Sequence, residues 1–536
     1  MSALNTVSDT LPGLLTRNAA SLAGKTAIRE KRQGIWQATT WAEHAATTAA
    51  IARGLAGLGF RRGDRLAVLG DNRAALYRAQ LAAMSLGGAA VPCWPDAEPD
   101  WLAEVLGDAG VSIVVVEDQD QVEKILAIKD RLPALQEIIY TDPRGVHHQD
   151  LAFIHPITDL VASGQVASAG ADATSPDDVA LIFYLTPADG AARAVALTHA
   201  QLIAAATALT KADDIRPTDE YFAYLPMAWV AEALYGLALP LIVGYACSCP
   251  EDPETARRDL RELGPTILLA PPRIWNSLLA EIDSKAAHAT PLKRRLCKRF
   301  LPDAYAGGNL VPNGFLGEWL LSAPLRDQLG LGRLRWAHTG GLSIAPHVQA
   351  FFSALGVNLR QGMNLLEQPG FASLATDLPA PVQLTDGSIG DASEIEAVLC
   401  HNRYLADAVV IGGGASQLGA LLVIDAVAVG DWAQGRSLVF TSAAELAALP
   451  DVRTLVAGEV ARANAGLPIA RRIGRYVLLD TLPASLNAEA SLSRIVQRRV
   501  AREWVAQQQI DLFADPPATG VEVVHETAAS VREQAA

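Results

Sequence analysis

The sequence predicts an α/β fold: a large N-terminal domain of parallel-rich sheets flanked by helices, followed by a small α+β C-terminal domain. The chain has 536 residues, more than one compact domain needs. Half of the residues are hydrophobic and 19% are charged, so a large buried core is feasible. Short apolar runs alternate with helical patterns, a rhythm typical of parallel sheets covered by helices on both faces.

The alternation is clearest between residues 64 and 142. A buried strand is followed by a helix that ends at a glycine, and then by another strand. Two more strands follow, separated by a helical stretch. Ligands in such folds gather at loops beyond the carboxyl ends of the strands. In chain order the segments read "DRLAVLG", "AALYRAQLAAMSLGG", "AAVPC", "VSIVVVED", "QVEKILAIKDRL" and "EIIYTD".

The strand-then-loop pattern returns later in "PTILLAPPRIW" and "LRWAHTGG". Between the early and late strands, the longest apolar run without a charge extends from Ala233 to Pro250. Gly236, Pro240 and Gly244 interrupt this run, so it suits a membrane span poorly. We expect a buried helix that leads into a strand.

A segment rich in Pro, Gly and Asp, "TDLPAPVQLTDGSIGD", lacks any periodicity and predicts a linker. It divides an N-terminal domain, residues 1–385, from a C-terminal domain with a shortened hinge region, residues 386–515. In the second domain, "DAVVIGG" and "LGALLVID" predict two paired strands. Residues 516–536 are predicted to be a polar, frayed tail.

Composition excludes some classes of function. The formal net charge is −14 and the basic residues are scattered, whereas a nucleic-acid-binding protein shows a clustered basic face. The five cysteines have no metal-ligand spacing and predict buried thiols in a reducing compartment. The first 15 residues lack a basic stretch followed by an apolar core, so we expect no signal peptide and a cytoplasmic protein without a membrane span.

One stretch, "FYLTPADGAARAVALTH", predicts a strand, a turn and a helix in succession, the arrangement of a phosphate-binding loop. It resembles the phosphate loop of the AMP-forming acyl-CoA synthetases, whose signature reads Tyr-Thr-Ser-Gly-Thr-Thr-Gly-x-Pro-Lys-Gly-Val-Met-Leu-Thr-His. The residues that match it without a gap are Tyr184, Gly190, Val195, Leu197, Thr198 and His199.

Further blocks resemble this family in the family's own order, and the long-chain fatty acid–CoA ligase branch is nearest. They include "YLPMAWVAEALYG", "LRWAHTGGLSIAPHVQAFFSALGVNLRQGMNLLEQ" and "DASEIEAVLCHNRYLADAVVIGGGASQLGALLVID". The resemblance implies the family's two-domain fold and its cofactors ATP, Mg²⁺ and coenzyme A. Such enzymes join a carboxylate to the α-phosphate of ATP, release pyrophosphate, and pass the acyl group to the thiol of coenzyme A.

The resemblance also assigns candidate site residues. Glu367 corresponds to the magnesium ligand, and Arg494 is the nearest substitute for the terminal catalytic lysine, although an ungapped alignment places Ile495 there. Trp229, where many relatives have histidine, is the candidate to line or gate an acyl channel, although a buried tryptophan is more often simply core. The positions that correspond to ATP contacts are Thr186, Gly190, Arg193, Gly340, Gly341 and Met363.

The phosphate loop departs from the family where the chemistry is most demanding. Pro187 replaces a glycine and deletes an amide donor. Ala188 and Asp189 replace two threonines, so two hydroxyl donors become a methyl group and a negative charge that repels triphosphate. Arg193 replaces the loop lysine and keeps its charge with a different geometry.

The purine and ribose contacts depart as well. Met363 stands where the family stacks a tyrosine on the base, and Leu366 stands where a threonine contacts phosphate. The Thr-Gly-Asp that holds the ribose hydroxyls in the family occurs nowhere in this chain. Glu367 is retained.

Two functional hypotheses follow. The first, which we favour, is a degenerate member with impaired or lost ligase activity, a pseudoenzyme that binds a fatty acid, an acyl-CoA or a protein partner. The alternative is an active ligase with an unorthodox ATP site that uses Arg193, Glu367 and Arg494. Either hypothesis leaves room for peripheral membrane contact or a homo-oligomer, and neither involves nucleic acid.

Overall fold

The computed structural model describes residues 9–146, 151–166, 174–185, 192–287, 322–339, 344, 346–361, 381–383, 389–400, 402, 404–411, 418–479, 512–513 and 520–524. Two large sheets, one small sheet and one strand pair lie in these residues. The strands are β1 Thr26–Arg32, β2 Ile35–Thr40, β3 Arg65–Leu69, β4 Ala89–Cys93, β5 Ile113–Val116, β6 Glu137–Tyr140, β7 Ile154–Pro156, β8 Val179–Leu185, β9 Arg193–Thr198, β10 Glu220–Phe222, β11 Ala246–Cys249, β12 Ile267–Ala270, β13 Trp336–Thr339, β14 Leu359–Gln361, β15 Pro381–Gln383, β16 Ile389–Asp391, β17 Leu405–Ile411, β18 Leu418–Ile424, β19 Ile473–Leu479 and β20 Val521–Val523.

Helices connect and cover these strands, as the alternation in the sequence predicts. They are α1 Leu11–Ser21, α2 Trp41–Gly57, α3 Ala74–Ser85, α4 Pro99–Ala109, α5 Gln119–Ile128, α6 Ile157–Val166, α7 His199–Asp213, α8 Val230–Glu232, α9 Leu239–Val243, α10 Ala256–Leu263, α11 Pro272–Ala287, α12 Ala323–Leu329, α13 Pro346–Ala354, α14 Ala392–Leu399, α15 Ala426–Gln434, α16 Ala443–Ala448 and α17 Pro450–Ala465. A π-helical stretch, Ala233–Ala238, joins α8 to α9. Short 3₁₀ helices occupy Lys129–Arg131 and Ile469–Arg471.

Both large sheets have seven strands and are mostly parallel. The first sheet has the order β7-β6-β5-β3-β4-β8-β9, and only β9 is antiparallel to its neighbour. The second sheet has the order β14-β13-β12-β10-β11-β1-β2, and only β2 is antiparallel to its neighbour. The predicted class, parallel-rich sheets flanked by helices, is confirmed.

The two sheets pack through a shared middle layer of helices. Successive strand residues point to opposite faces. Val68 and Ile113 of the first sheet therefore belong to one buried cluster with Cys247 and Leu269 of the second sheet and Leu76 of α3. This cluster is the core of the large domain.

Helices also cover the outer face of each sheet. Leu69, the neighbour of Val68, faces the other way and packs with Leu102 of α4 in a second cluster. On the second sheet, Leu268 packs with Trp275 of α11 in a third cluster. The order of layers is therefore helix, sheet, helix, sheet, helix.

The small C-terminal sheet has the order β17-β18-β19-β20. Strands β17 and β18 pair antiparallel, as their sequences predict, and β19 runs parallel to β18. Helices α14–α17 bury one face of this sheet in a cluster that includes Leu422 and Tyr476. A small C-terminal α+β unit is therefore present.

Three findings refine the predicted organisation. Strand β20 lies within residues 516–536 and pairs with β19, so the expectation of a tail frayed throughout is wrong for Val521–Val523. Strands β15 and β16 pair across the predicted boundary at residue 385, so the expected linker contains a strand pair. The boundary itself stays a prediction. Strand β9 stands where the sequence predicts that the turn leads directly into a helix, and α7 begins only at His199.

The apolar run that begins at Ala233 forms the π-helical stretch, α9 and then β11, which confirms a buried helix leading into a strand. None of the helices in the described residues is long and apolar enough to cross a membrane.

Candidate active site

The carboxyl ends of the two large sheets meet, which places the candidate segments at one edge of the large domain. Arg73, just beyond the end of β3 in the first sheet, donates from Nη1 to the carbonyl oxygen of Pro250, which follows β11 in the second sheet, at 2.8 Å. In doubly wound folds this edge is where ligands bind.

The strands that lead into the candidate segments all end at this edge. Strand β8 runs parallel to β4 and ends at Leu185, immediately before the phosphate-loop sequence. Strands β13 and β14 are adjacent and parallel, and Thr339 pairs with Gln361 where both strands end. The sequences around Gly340 and Met363 therefore begin from neighbouring strand ends.

Seven of the predicted site residues lie outside the described residues: Thr186, Gly190, Gly340, Gly341, Met363, Glu367 and Arg494. The assignments for those positions stay predictions. Arg193 and Trp229 lie within the structure.

Arg193 begins β9 and pairs with Leu185 across the strand pair that closes the phosphate-loop segment. Its side chain is exposed.

Two hydrogen bonds tie the flanks of the phosphate-loop segment to carboxylates of α4. The hydroxyl of Tyr184 donates to Oδ2 of Asp108 at 2.7 Å. The backbone N–H of Ala192 donates to Oε1 of Glu104 at 3.0 Å. Both carboxylates are exposed and lie one helical turn apart, so both flanks of the segment are tied to negatively charged side chains.

More negative charge lies along the same edge. Burial, reinforced by the charge of Glu117, raises the pKa of the Asp71 carboxyl group to about 6. Arg73 donates to Glu117 at 2.6 Å and neutralises part of this charge. Among the described residues, no group of three or more His, Cys, Asp or Glu side chains is arranged to hold a metal ion.

Trp229 occupies the junction between two layers. Its half-buried ring packs against the middle cluster and against the outer cluster of the first sheet. Its carbonyl oxygen accepts the N–H groups of Glu232 and Ala233 and so begins α8. The position suits a residue that borders an apolar channel, and it also suits simple core packing.

A buried carboxylate that the sequence-based reasoning did not select lies next to this tryptophan. Glu232 has no exposed surface. Its Oε1 accepts from the hydroxyl of Tyr77 at 2.7 Å and from Nδ2 of Asn72 at 3.1 Å, and its Oε2 accepts from the hydroxyl of Tyr221 at 2.6 Å. The only sequence signal is a lone charge between two apolar stretches, in "WVAEALYG".

Comparison with known proteins agrees with this architecture. The sequence pattern of the family described as "AMP-binding enzyme" matches residues 15–405. A long-chain-fatty-acid–CoA ligase of Rattus norvegicus is 24% identical over 365 residues, covering 64% of this chain and 50% of the ligase. One from Xenopus laevis is 24% identical over 367 residues, covering 64% of this chain and 49% of the ligase. The chain thus spans about half the length of these relatives.

Solved structures share the fold. The adenylation domain of a carboxylate reductase from Mycobacterium chelonae superposes with a TM-score of 0.72 at 16% identity, covering 94% of this chain and 91% of that domain. An anthranilate CoA ligase in complex with anthranoyl-AMP gives 0.67 at 14% identity, covering 94% of this chain and 99% of that one. At such identities the likeness concerns the fold alone. Because the family pattern covers well over half of the sequence, the chain belongs to the AMP-binding enzyme family.

Proposed function

We propose that the chain is a long-chain acyl-CoA synthetase-like protein that keeps an acyl-binding site and has an impaired or lost ability to bind ATP. Its fatty acid–CoA ligase activity is accordingly weak or absent. The named relatives are long-chain-fatty-acid–CoA ligases, which supports the fatty acid as ligand class.

The observation that carries this proposal is the charge around the phosphate-loop segment. The segment has lost its glycine and threonine donors at Pro187, Ala188 and Asp189. Its two flanks are tied to Glu104 and Asp108 of α4. A triphosphate here would have fewer donors, one carboxylate within the loop sequence and two exposed carboxylates at its flanks, and like charges repel.

The alternative is an active ligase with an unorthodox site. It is favoured by the adjacent ends of β13 and β14, which bring the starts of the two purine-side segments together. In that case Arg193 and Arg494 would stabilise the negative charge of the phosphates, and Glu367 would bind the magnesium ion. The residues fit magnesium and ATP poorly in the phosphate loop and better at Glu367.

ATP binding with a matched rescue variant tests the proposal. Titration calorimetry of the wild-type chain with Mg²⁺–ATP is expected to give no binding heat. The triple variant Pro187→Gly, Ala188→Thr, Asp189→Thr restores the family's residues and is expected to bind. Micromolar ATP binding by the wild type, unchanged in the triple variant, would overturn the proposal.

The remaining assignments are part of the same proposal. A net charge of −14 and buried thiols at Cys93, Cys247 and Cys249 suit the cytoplasm. The ligand is a fatty acid or an acyl-CoA, and a protein partner or a second copy of the chain remains compatible with it. Titration with dodecanoate and with dodecanoyl-CoA distinguishes the two ligands.

A further inference from the structure

The hydrogen-bond cluster at Glu232, defined by Asn72, Tyr77, Tyr221 and Glu232, joins elements from both halves of the large domain. Asn72 follows β3 and Tyr77 lies on α3, whereas Tyr221 belongs to β10 of the second sheet. All four residues are buried. The carboxyl group of Glu232 is therefore the common acceptor where the first sheet, the middle helices and the second sheet meet.

The same cluster fixes the segment that carries Trp229. The N–H of Glu232 donates to the carbonyl oxygen of Trp229 at 2.9 Å, so the first turn of α8 connects the two residues rigidly. Upstream, Nε2 of Gln80 on α3 lies 3.3 Å from the sulfur of Met227. The segment is thus held against α3 on both sides of Trp229.

Gly236 packs closely against the carboxyl group of Glu232. A Cβ atom on Gly236 would lie 2.6 Å from the hydroxyl of Tyr77 and would collide with Oε1 of Glu232. Gly236 lies within the π-helical stretch, where an extra residue per turn changes the direction of the following side chains. The path of the π-helical stretch therefore limits where the carboxyl group of Glu232 can lie, and the carboxyl group in turn requires a glycine at position 236.

The titratable groups that face Glu232 among the described residues are tyrosines and cysteines. Burial raises the pKa of the neighbouring tyrosines above the ordinary value, so they stay protonated at pH 7. The charged groups behind these tyrosines form ion pairs of their own. Arg257 pairs with Glu281, and Asp213 pairs with Arg360. The facing titratable groups are Tyr77 of α3, Tyr221 of β10, Tyr224 after β10, Tyr245 before β11, and Cys247 and Cys249 of β11.

We propose that Glu232 is a positioning residue for the acyl site, and that the protonation state of its carboxyl group sets how the segment holds Trp229. When the group is neutral, the junction buries no charge. When it is ionised, a buried charge depends on three neutral donors, with no Lys or Arg of the described part of the chain bonded to it, and the junction is strained. The inference rests on the proposed function only in identifying Trp229 as part of an acyl site.

The relevant pH range is close to neutral. Burial raises the pKa of Glu232 to about 8, although the hydrogen bonds from Tyr221 and Tyr77 pull it down. The switch would therefore operate between pH 7 and 9, with the neutral form below and the ionised form above. Exposed carboxyl groups, the facing tyrosines and Cys247 do not titrate in this range, because the hydrogen bond with Cys249 and burial raise the pKa of the Cys247 thiol. The comparison with Glu232→Gln separates the carboxyl group from any other group that titrates.

The test follows the environment of Trp229 directly. Trp229 fluorescence is obtained as the difference between a protein and its Trp229→Phe counterpart, from pH 6 to pH 9.5. The wild-type difference signal is expected to titrate with a midpoint near 8, and Glu232→Gln is expected to abolish the titration. Glu396→Gln, at a buried glutamate of the small domain, is the matched control and should titrate like the wild type.

A second variant keeps the test decisive if Glu232→Gln fails to fold. Tyr221→Phe removes one donor to the ionised form, so the midpoint is expected to move to higher pH. A Trp229 signal that stays constant from pH 6 to 9.5, or that titrates identically in Glu232→Gln, would overturn the inference.

Ligand binding separates this inference from the proposed function. Dodecanoate stays ionised above pH 6, so its own charge does not change. Its dissociation constant is expected to rise by about tenfold between pH 6.5 and 9.5, equivalent to one pKa unit of coupling, in the wild type and to stay constant in Glu232→Gln. If dodecanoate does not bind at either pH while the Trp229 signal still titrates, the acyl site is wrong and the positioning role stands. If dodecanoate binds with the same pH dependence in the wild type and in Glu232→Gln, the acyl site stands and the positioning role of Glu232 is wrong.

Discussion

At the scale of single residues, the large domain buries the carboxyl group of Glu232 among three donors, and no Lys or Arg of the described residues is hydrogen-bonded to it. Glu232 accepts three hydrogen bonds. The net contribution of one such bond to the free energy of unfolding is only about 1 kcal/mol. Desolvation of a carboxylate costs several kcal/mol, which is why burial outweighs the donors and raises the pKa to about 8.

This shift predicts how stability depends on pH. Between the ordinary carboxyl pKa and about 8, the folded chain binds one proton more at Glu232 than the unfolded chain. The free energy of unfolding should therefore fall as pH rises through this range, by up to about 1.4 kcal/mol per pH unit from this group. Denaturant unfolding of wild type and Glu232→Gln at pH 5.5, 6.5 and 7.5 measures it. A difference between the two proteins that is constant with pH would contradict the prediction.

Gly236 offers a second prediction, with a control inside the chain. Gly236→Ala places a methyl group against Glu232 and Tyr77 and should lower the free energy of unfolding by about 1–3 kcal/mol. Gly458, within α17, has no atom within 4 Å of a built Cβ, so Gly458→Ala should raise stability by about 0.5–1 kcal/mol. Equal effects of the two changes in denaturant unfolding would show that the space around Gly236 is not limiting.

At the scale of elements, α4 is tied to both flanks of the phosphate-loop segment. Tyr184 and Ala192 bond to α4 on either side of the segment, so α4 would contribute to the charge that a phosphate at the proposed site meets. Glu104 and Asp108 belong to the exposed face of a helix whose buried face includes Leu102 and Val105. Their charge can therefore be changed without disturbing the core.

Neutralising one of these carboxylates should improve anion binding. In the restored-loop triple variant, Glu104→Gln is expected to tighten Mg²⁺–ATP binding by about two- to fivefold, the effect of one exposed charge, and less at high salt. Calorimetry at low and high salt checks this. Glu123→Gln, on α5, is the control and should leave ATP affinity unchanged; an equal effect of both changes would contradict a local role for α4.

Short apolar runs made most strands predictable, because β3, β4, β5 and β6 are buried on both faces and read as continuous hydrophobic stretches. Strand β9 was not predictable in the same way. Its residues alternate between buried and exposed, and the sequence passes into α7 without a glycine or proline. Strand β9 forms because it pairs with β8, and the local sequence of β9 does not reveal that pairing.

At the scale of the whole molecule, the fold is better determined by the sequence than the site is. The ordered blocks predict the family and its two-domain plan, which the family match and the shared fold confirm. The cluster at Glu232 was not predictable, because Tyr77 and Tyr221 lie 155 and 11 residues away along the chain. Only packing of the two sheets brings them together.

At this scale the two proposals concern different parts of the large domain. The proposed acyl site lies beside the buried cluster at Glu232, and the proposed loss of ATP binding concerns the phosphate-loop segment, where the sequence has fewer donors and one more carboxylate than the family signature. A chain that binds an acyl group and not ATP would act as a carrier or sensor of lipids. One that binds both would be a ligase.

ATP–pyrophosphate exchange with Mg²⁺ and a panel of fatty acids tests this central claim most directly. If the proposal is right, neither the wild-type chain nor the Glu367→Ala variant has a working phosphate site, so the wild type is expected to give exchange no greater than that variant. Exchange well above that of Glu367→Ala would contradict the account and identify the chain as an active ligase.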